Sequence, residues 1–132
     1  MTDAARDLSG SWRGVFNYPR GNPPTEFTAR LRDAGGLLTG ETAEPSLHGG
    51  ALTARIDGRR TGSAVVFNKL YDDAREGDYD SVAYQGEVDA EGLEITGRWI
   101  IPGVWSGTFI MVRDKGAEAM VEQAAAVEEP VR

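Results

Sequence analysis

Hydrophobic and polar residues alternate with a period of two along most of the chain, which is the pattern of half-buried β-strands. The clearest case is residues 93–113, where two alternating runs flank a Pro102-Gly103 turn. Trp99 falls on the apolar face of the first run, and Trp105 falls on the apolar face of the second. We interpret this stretch as the closing hairpin of a small antiparallel barrel, with both indoles facing the lumen.

The same alternation recurs through residues 11–113, interrupted by turn residues. Further strands are predicted at 11–18, 25–32, 37–44, 51–57, 63–71 and 81–88. Asp57-Gly58 is interpreted as the start of a turn, because glycine supplies positive φ angles. About eight strands joined by short turns predict an all-β fold, an eight-stranded antiparallel up-and-down β-barrel whose closure removes free strand edges.

The C-terminal residues have a different composition. Ala and Glu dominate residues 117–129, and Pro130 follows them, a pattern typical of a short helix and its stop signal. The predicted organisation is therefore a barrel domain at 1–113 and a helical or disordered tail at 114–132. The apolar stripe of this helix is weak, so docking on the barrel and a frayed tail both stay open.

Composition narrows the function classes. The net charge of −7 and the absence of a basic run argue against nucleic-acid binding, which requires neutralisation of phosphates. The chain has no cysteine, which excludes disulfides and thiolate chemistry and removes the usual structural zinc ligands. We expect no metal and no cofactor. No apolar leader or run of about 18 apolar residues is present, so we expect a cytoplasmic protein that does not bind membranes.

Several short motifs resemble the avidin and streptavidin family of the calycin superfamily, to which the lipocalins also belong. The first is Gly10-Ser11-Trp12, a Gly-x-Trp at the start of strand one. The next motifs, in an order similar to that of avidins, are Leu38-Thr39-Gly40, Leu47-His48-Gly49, Tyr84-Gln85-Gly86 and Trp99-Ile100-Ile101. The resemblance implies a barrel whose base is sealed by Trp12, with Arg113 packed across it.

The chain departs from avidins where biotin binds. Arg13-Gly14-Val15 stands where the family places an Asn shortly after the first Trp, and Glu41-Thr42 replaces a pocket Tyr. Phe67 is the residue nearest to the family's strand-five Trp, so Trp99 is the pocket aromatic that remains. The resemblance thus implies the architecture, and a homo-dimer or tetramer as in avidins, without biotin binding.

The inferred inner face is rich in aromatic residues. The candidate ligand-binding residues are Phe16, Tyr18, Phe27, Thr42, Phe67, Lys69, Tyr84, Trp99, Trp105 and Phe109. Inward glycines such as Gly14, Gly86 and Gly107 leave room for a cavity, although a barrel of about eight strands can also be filled by its own side chains. Our first hypothesis is a small-molecule-binding barrel for a partly apolar or aromatic ligand.

The phase of strand 63–71 decides the role of Lys69. If Lys69 faces inward with Phe67 and Tyr71, burial lowers its pKa, and it becomes a base or an anchor for an anionic ligand. If the opposite face is inward, Lys69 is simply solvated. A second hypothesis is a cyclase or isomerase that uses one acid or base, from Lys69, His48, Tyr84 or a carboxylate. A lone loop histidine such as His48 is more often solvated.

A third hypothesis is a non-catalytic oligomeric interaction module. It rests on outward apolar residues near the seam between the first and last strands, namely Val15, Ile100, Ile110 and Val112. A contiguous apolar patch at this seam would mark an oligomer face. The acidic loop at 72–80 lacks the spacing of a calcium loop, and we interpret it as solvated.

Overall fold

The computed structural model describes residues 7–46, 49–72 and 81–114. The strands are β1 (Gly10–Asn17), β2 (Thr25–Ala34), β3 (Leu37–Pro45), β4 (Ala51–Thr61), β5 (Ala64–Tyr71), β6 (Ser81–Val88), β7 (Glu94–Ile101) and β8 (Trp105–Arg113). The helix predicted at 117–129, His48 and most of the acidic loop lie outside the described residues. Within the described ranges, no helix is long and apolar enough to cross a membrane.

The strands form a closed barrel in which each strand pairs antiparallel with its neighbours in the chain. β8 returns to pair with β1, so that Trp12 lies opposite Arg113 and Phe16 lies opposite Phe109. Closure leaves no strand edge exposed for pairing with another chain. The predicted fold class, an eight-stranded antiparallel up-and-down barrel, is confirmed.

The period-two alternation directs one face of each strand into the lumen. In β2, for example, Phe27, Ala29 and Leu31 are buried, whereas the intervening Thr28 and Arg30 are exposed. The closing hairpin behaves in the same way, because the rings of Trp99 and Trp105 contact each other edge to face with centroids 5.6 Å apart. The hydrophobic core is therefore the lumen itself.

The predicted turn at Asp57-Gly58 is wrong, because β4 continues to Thr61. Gly58 lies inside the sheet, where a Cβ atom would collide with the backbone and Cβ of Phe67 on β5. A glycine within a strand permits this close approach of a neighbouring strand. The turn comes later, at Gly62, whose φ of 61° is the left-handed conformation that glycine adopts without strain.

One end of the barrel, where β1 begins and β8 ends, is closed by Trp12 and Arg113. The indole N–H of Trp12 donates to the carbonyl of Leu8 at 2.9 Å, and Trp12 is 1% exposed. The guanidinium carbon of Arg113 lies 4.6 Å from the centroid of the Trp12 ring. Arg113 also donates to the carbonyls of Ser9 and Gly92, at 2.6 and 3.0 Å. We call this the closed end.

A buried ion pair, which the sequence reasoning missed, also lies at the closed end. The Nε of Arg60 donates to Asp33 at 2.8 Å, and their side chains are 7% and 1% exposed. Burial alone would raise the pKa of Asp33, but hydrogen bonds from Arg60 and from the backbone N–H groups of Leu8 and Gly36 outweigh it, so the pKa is lowered. This pair ties β2 to β4 below the lumen.

Candidate functional site

Stacked aromatic rings fill the middle of the lumen. Phe16 stacks on Phe27 with centroids 4.5 Å apart, and Phe67 stacks on Tyr84 with centroids 4.7 Å apart. Tyr84 also meets Phe109 edge to face at 5.0 Å. Such pairs contribute roughly 0.5–1.5 kcal/mol each beyond the area that they bury. Burial raises the pKa of the Tyr84 hydroxyl well above 10.0.

Neighbouring rings occupy the space that the inward glycines leave. A Cβ atom on Gly14 would overlap the ring of Phe27, and one on Gly107 would lie 2.7 Å from two ring atoms of Trp99. These glycines therefore leave room for the rings of the residues paired with them on the neighbouring strands. The sequence predicted a cavity beside these glycines, but side chains fill that space in the middle of the lumen. Any ligand-sized space must therefore lie toward the end of the barrel opposite the closed end.

The structure settles the phase of β5. Phe67 and Lys69 face the lumen, whereas Val66 is 46% exposed on the outer wall. The Lys69 side chain is 1% exposed, and its Nζ lies 3.8 Å from the centroid of the Phe16 ring. The alternative phase, with Lys69 solvated, is wrong. The chain thus places an amine among aromatic rings, where cation–π attraction offsets part of its desolvation.

Lys69 pairs with Glu44, a residue of β3. Its Nζ donates to Oε1 of Glu44 at 3.0 Å, and the hydroxyl of Tyr71 donates to the same oxygen at 3.1 Å. Burial lowers the pKa of Lys69 to about 8, although the charge of Glu44 and its hydrogen bond work in the opposite direction. We call Lys69 and Glu44 the lumen ion pair.

Sequence reasoning missed Glu44, although the signal was present. Thr42 was predicted to face the lumen, and the period of two places Glu44 next on the same face of β3. Its pairing with Lys69 was beyond reach, because the two residues lie on strands separated by β4 and 25 positions apart in the chain. Alternation predicts which face a side chain is on, but not its partner across the lumen.

Three aromatic residues form a layer near the end where β1 ends and β8 begins, which we call the open end. Tyr18 stacks on Trp105 at 5.3 Å and meets Trp99 edge to face at 5.6 Å. The indole N–H of Trp99 donates to the carbonyl of Asn17 at 3.1 Å. Tyr18 and Trp105 are half-buried, in contrast to the fully buried rings in the middle of the lumen.

Two buried polar atoms have no hydrogen-bond partner in the described part of the chain. They are the hydroxyl oxygen of Thr42 and the indole nitrogen of Trp105. Leaving such a group unpaired when buried typically costs about 1–3 kcal/mol. Both atoms come from residues that the sequence analysis assigned to ligand binding, and both could be satisfied by polar atoms of a bound molecule.

The structure brings all ten predicted ligand-binding residues to the lumen or its open end. Eight are buried, and Tyr18 and Trp105 pack against them. Contact of these residues with a ligand stays a prediction. Among residues 7–46, 49–72 and 81–114, no cluster of three His, Asp or Glu side chains is arranged to hold a metal ion.

Comparisons with known proteins identify the architecture. No protein-family model matches the chain, and no curated protein matches it. A de novo designed fluorescence-activating β-barrel is similar, with a TM-score of 0.63, 14% identity and coverage of 86% of this chain and 100% of that chain. A redesigned β-barrel gives a TM-score of 0.66 at 14% identity, with coverage of 86% and 97%.

A further similar structure is the redesigned β-barrel mFAP1, bound to DFHBI. Its TM-score is 0.64 at 14% identity, and the match covers 84% of this chain and 98% of that chain. At this identity the likeness shows the fold alone.

The lowered pKa of Lys69 predicts that stability rises with pH. In the unfolded chain the lysine keeps a pKa near 10.5, so between about pH 8 and pH 10.5 the unfolded state binds more protons than the folded state. The free energy of unfolding should therefore increase across this range, by about 3 kcal/mol in total. Above about pH 10 the raised pKa of Tyr84 opposes the rise, because tyrosine then ionises more readily in the unfolded chain.

Urea denaturation at about pH 7.5 and about pH 9.5 measures this increase in the wild type, Lys69→Met and Lys115→Arg. The wild type and Lys115→Arg should become more stable, and Lys69→Met should lose most of the increase. Equal pH dependence in all three proteins would show that Lys69 is not the group responsible.

Proposed function

We propose that the chain is a binding barrel for a small, uncharged, partly aromatic molecule, held in the open-end half of the lumen. The observation that carries the proposal is that inward aromatic side chains surround the lumen ion pair, and that two buried polar atoms among the described residues have no hydrogen-bond partner. Ligand pockets are generally apolar enclosures with a few placed polar groups, and this arrangement has that character.

The open end is the part of the lumen best suited to admit a guest. The rings in the middle are buried and stacked, and displacing them would forfeit several contacts at once. Tyr18 and Trp105 are half-buried and stack on each other. Separating these two rings would not disturb the contacts at the closed end. A planar guest would replace the Tyr18–Trp105 stack with two similar aromatic contacts.

The lumen ion pair argues for an uncharged guest. Lys69 and Glu44 already neutralise each other at 3.0 Å, so a guest anion would be repelled by Glu44 and a guest cation by Lys69. Bringing a third, unpaired charge into this enclosure carries a desolvation penalty that nothing offsets. The guest needs a hydrogen-bond acceptor for the Trp105 N–H and one polar atom for the Thr42 hydroxyl.

Two further lines support a binding role. A redesigned barrel of the same fold is bound to DFHBI, a small aromatic dye. The guest proposed for this chain is likewise a small aromatic molecule. The closed end, with Arg113 packed on Trp12, supports our proposal that the barrel is of the calycin type and related in architecture to avidins and lipocalins.

An enzyme is the second candidate. Lys69, Glu44 and Tyr71 converge within hydrogen-bonding distance inside the barrel, and acid–base chemistry requires such a convergence of titratable groups. An isomerase or cyclase would use the lumen to position its substrate and one of these groups to move a proton. Recovery of the guest from the binding experiment distinguishes the candidates, since a binding protein returns it unchanged.

Three naphthalene compounds of nearly equal shape test the proposal: 2-naphthalenemethanol, 2-naphthoate and 2-naphthylmethylammonium. Quenching of the tryptophan fluorescence and calorimetry give the Kd of each. The neutral alcohol should bind saturably, and both ions should bind about tenfold more weakly or worse, because each meets a like charge. Thr42→Val and Trp105→Phe should each weaken binding of the alcohol by about fivefold, the loss of one modest hydrogen bond.

Val66→Thr, on the outer wall of β5, is the matched control and should leave the Kd unchanged. The proposal fails if the alcohol shows no saturable binding, or if the three compounds bind equally well to all variants.

We also propose that the barrel self-associates through its outer wall. Val15, Ile110 and Val112 line a groove of about 940 Å³ together with Arg13 and Glu26. Ile100, which the sequence analysis grouped with them, is not among its lining residues. Apolar side chains flanked by charges of both signs suit an interface between copies of the chain.

Analytical ultracentrifugation measures the mass of the wild type, Ile110→Lys and Val66→Lys. We expect a dimer or tetramer for the wild type and Val66→Lys, and a monomer for Ile110→Lys, because a lysine in the groove would have to be desolvated on assembly. A monomeric mass for all three would remove the oligomer from this account.

A further inference from the structure

Lys69 has an unusual environment for an amine. It is one of two lysines in the 132-residue chain, the other being Lys115. Its Nζ lies 3.8 Å from the centroid of the Phe16 ring, 4.9 Å from that of Tyr71 and 5.5 Å from that of Tyr84. These rings exclude water from the amine, whereas an ordinary surface lysine is surrounded by it.

A proton acceptor stands beside the amine. Oε1 of Glu44 is 3.0 Å from Nζ of Lys69, and the Tyr71 hydroxyl donates to the same oxygen. The Glu44 side chain keeps 10% exposure, and Tyr71 is half-buried, so this side of the amine is the one nearest to solvent at the open end. A guest entering there would meet the amine and the carboxylate together.

We infer that Lys69 forms an imine with the carbonyl carbon of an aromatic aldehyde or ketone held in the open-end half of the lumen. The inference rests on the proposed binding function and names the chemical class of guest that the site would retain covalently. Lysines in apolar enclosures are suited to this chemistry because the reactive form of the side chain is the neutral amine.

The reaction needs no oxidant or reductant. Glu44 accepts the proton of the Lys69 ammonium, and the neutral nitrogen attacks the carbonyl carbon, forming a C–N bond. The nitrogen, which now carries a positive charge, gives one of its two protons to the former carbonyl oxygen, and a carbinolamine results. That hydroxyl then leaves as water, taking a proton from Glu44, while the remaining N–H proton is released. One amine and one carbonyl compound thus yield one imine and one water, with Glu44 as the proton carrier.

The electrostatics favour this step at neutral pH. The pKa of Lys69 is lowered to about 8 by burial, which leaves about a tenth of the side chain neutral at about pH 7. An ordinary lysine has less than about a thousandth in that form. Exclusion of water by the surrounding rings would also slow hydrolysis of the imine.

Reductive trapping tests the inference on the intact protein. The chain is incubated with 2-naphthaldehyde and sodium cyanoborohydride at about pH 7, and peptide mapping by mass spectrometry locates the naphthylmethyl group. We expect Lys69 to carry at least about tenfold more label than Lys115, in line with its larger neutral fraction. The N-terminal amine, with an ordinary pKa of about 8, has a neutral fraction similar to that of Lys69, so its label gives the extent of reaction expected from neutral fraction alone. Lys115→Arg should label as the wild type does, and Lys69→Arg should lose the label.

Parallel titration with 2-naphthalenemethanol separates this inference from the binding proposal. If the alcohol binds but label appears only on Lys115 and the N-terminal amine, the imine inference is wrong and the binding function stands. If the alcohol does not bind and Lys69 is unlabelled, both fail. Peptide mapping of the wild type shows whether Lys69 carries the label, so the imine inference is tested even if Lys69→Arg does not fold.

Discussion

The buried ion pair between Lys69 and Glu44 is the interaction on which the site depends. Burying an isolated charge in an apolar interior carries a large desolvation penalty, and each of these two charges offsets part of that penalty for the other. β3 and β5 flank β4 in the barrel wall, and their inward side chains Glu44 and Lys69 meet over β4 at 3.0 Å. Surrounding aromatic rings lower the pKa of the lysine to about 8 and contribute cation–π contacts in return.

The barrel has two ends with different tasks. At the closed end, Arg113 of β8 packs on Trp12 of β1, and the buried Asp33–Arg60 pair joins β2 to β4. At the open end, Tyr18 and Trp105 are half-buried, and Trp105 keeps a polar atom without a partner among the described residues. Stability is thus concentrated away from the open end, where rearrangement around a guest requires the least loss of packing.

Much of this architecture could be predicted from the sequence, because apolar residues recur at every second position on the buried face of a strand. The inward position of Trp99 and Trp105 follows from that period, and the closed barrel follows from the number of strands and the short turns between them. The end of β4 could not be predicted, since Gly58 serves close strand approach and looks identical to a turn glycine in sequence. The pairing of Glu44 with Lys69 could not be predicted, because the two residues lie on either side of β4 and 25 positions apart, and local patterns do not encode contacts between such strands.

Direct titration of Lys69 tests the central claim that this amine is buried and paired in the lumen. In protein labelled with ¹³C-lysine, the NMR signals of the two lysine ε-carbons are followed against pH. The signal that is missing in Lys69→Met is that of Lys69. A midpoint near pH 8 for Lys69 is the predicted result, because burial outweighs the effect of Glu44. A midpoint near 10.5, the value of a solvated lysine, would place the side chain in water and contradict the account.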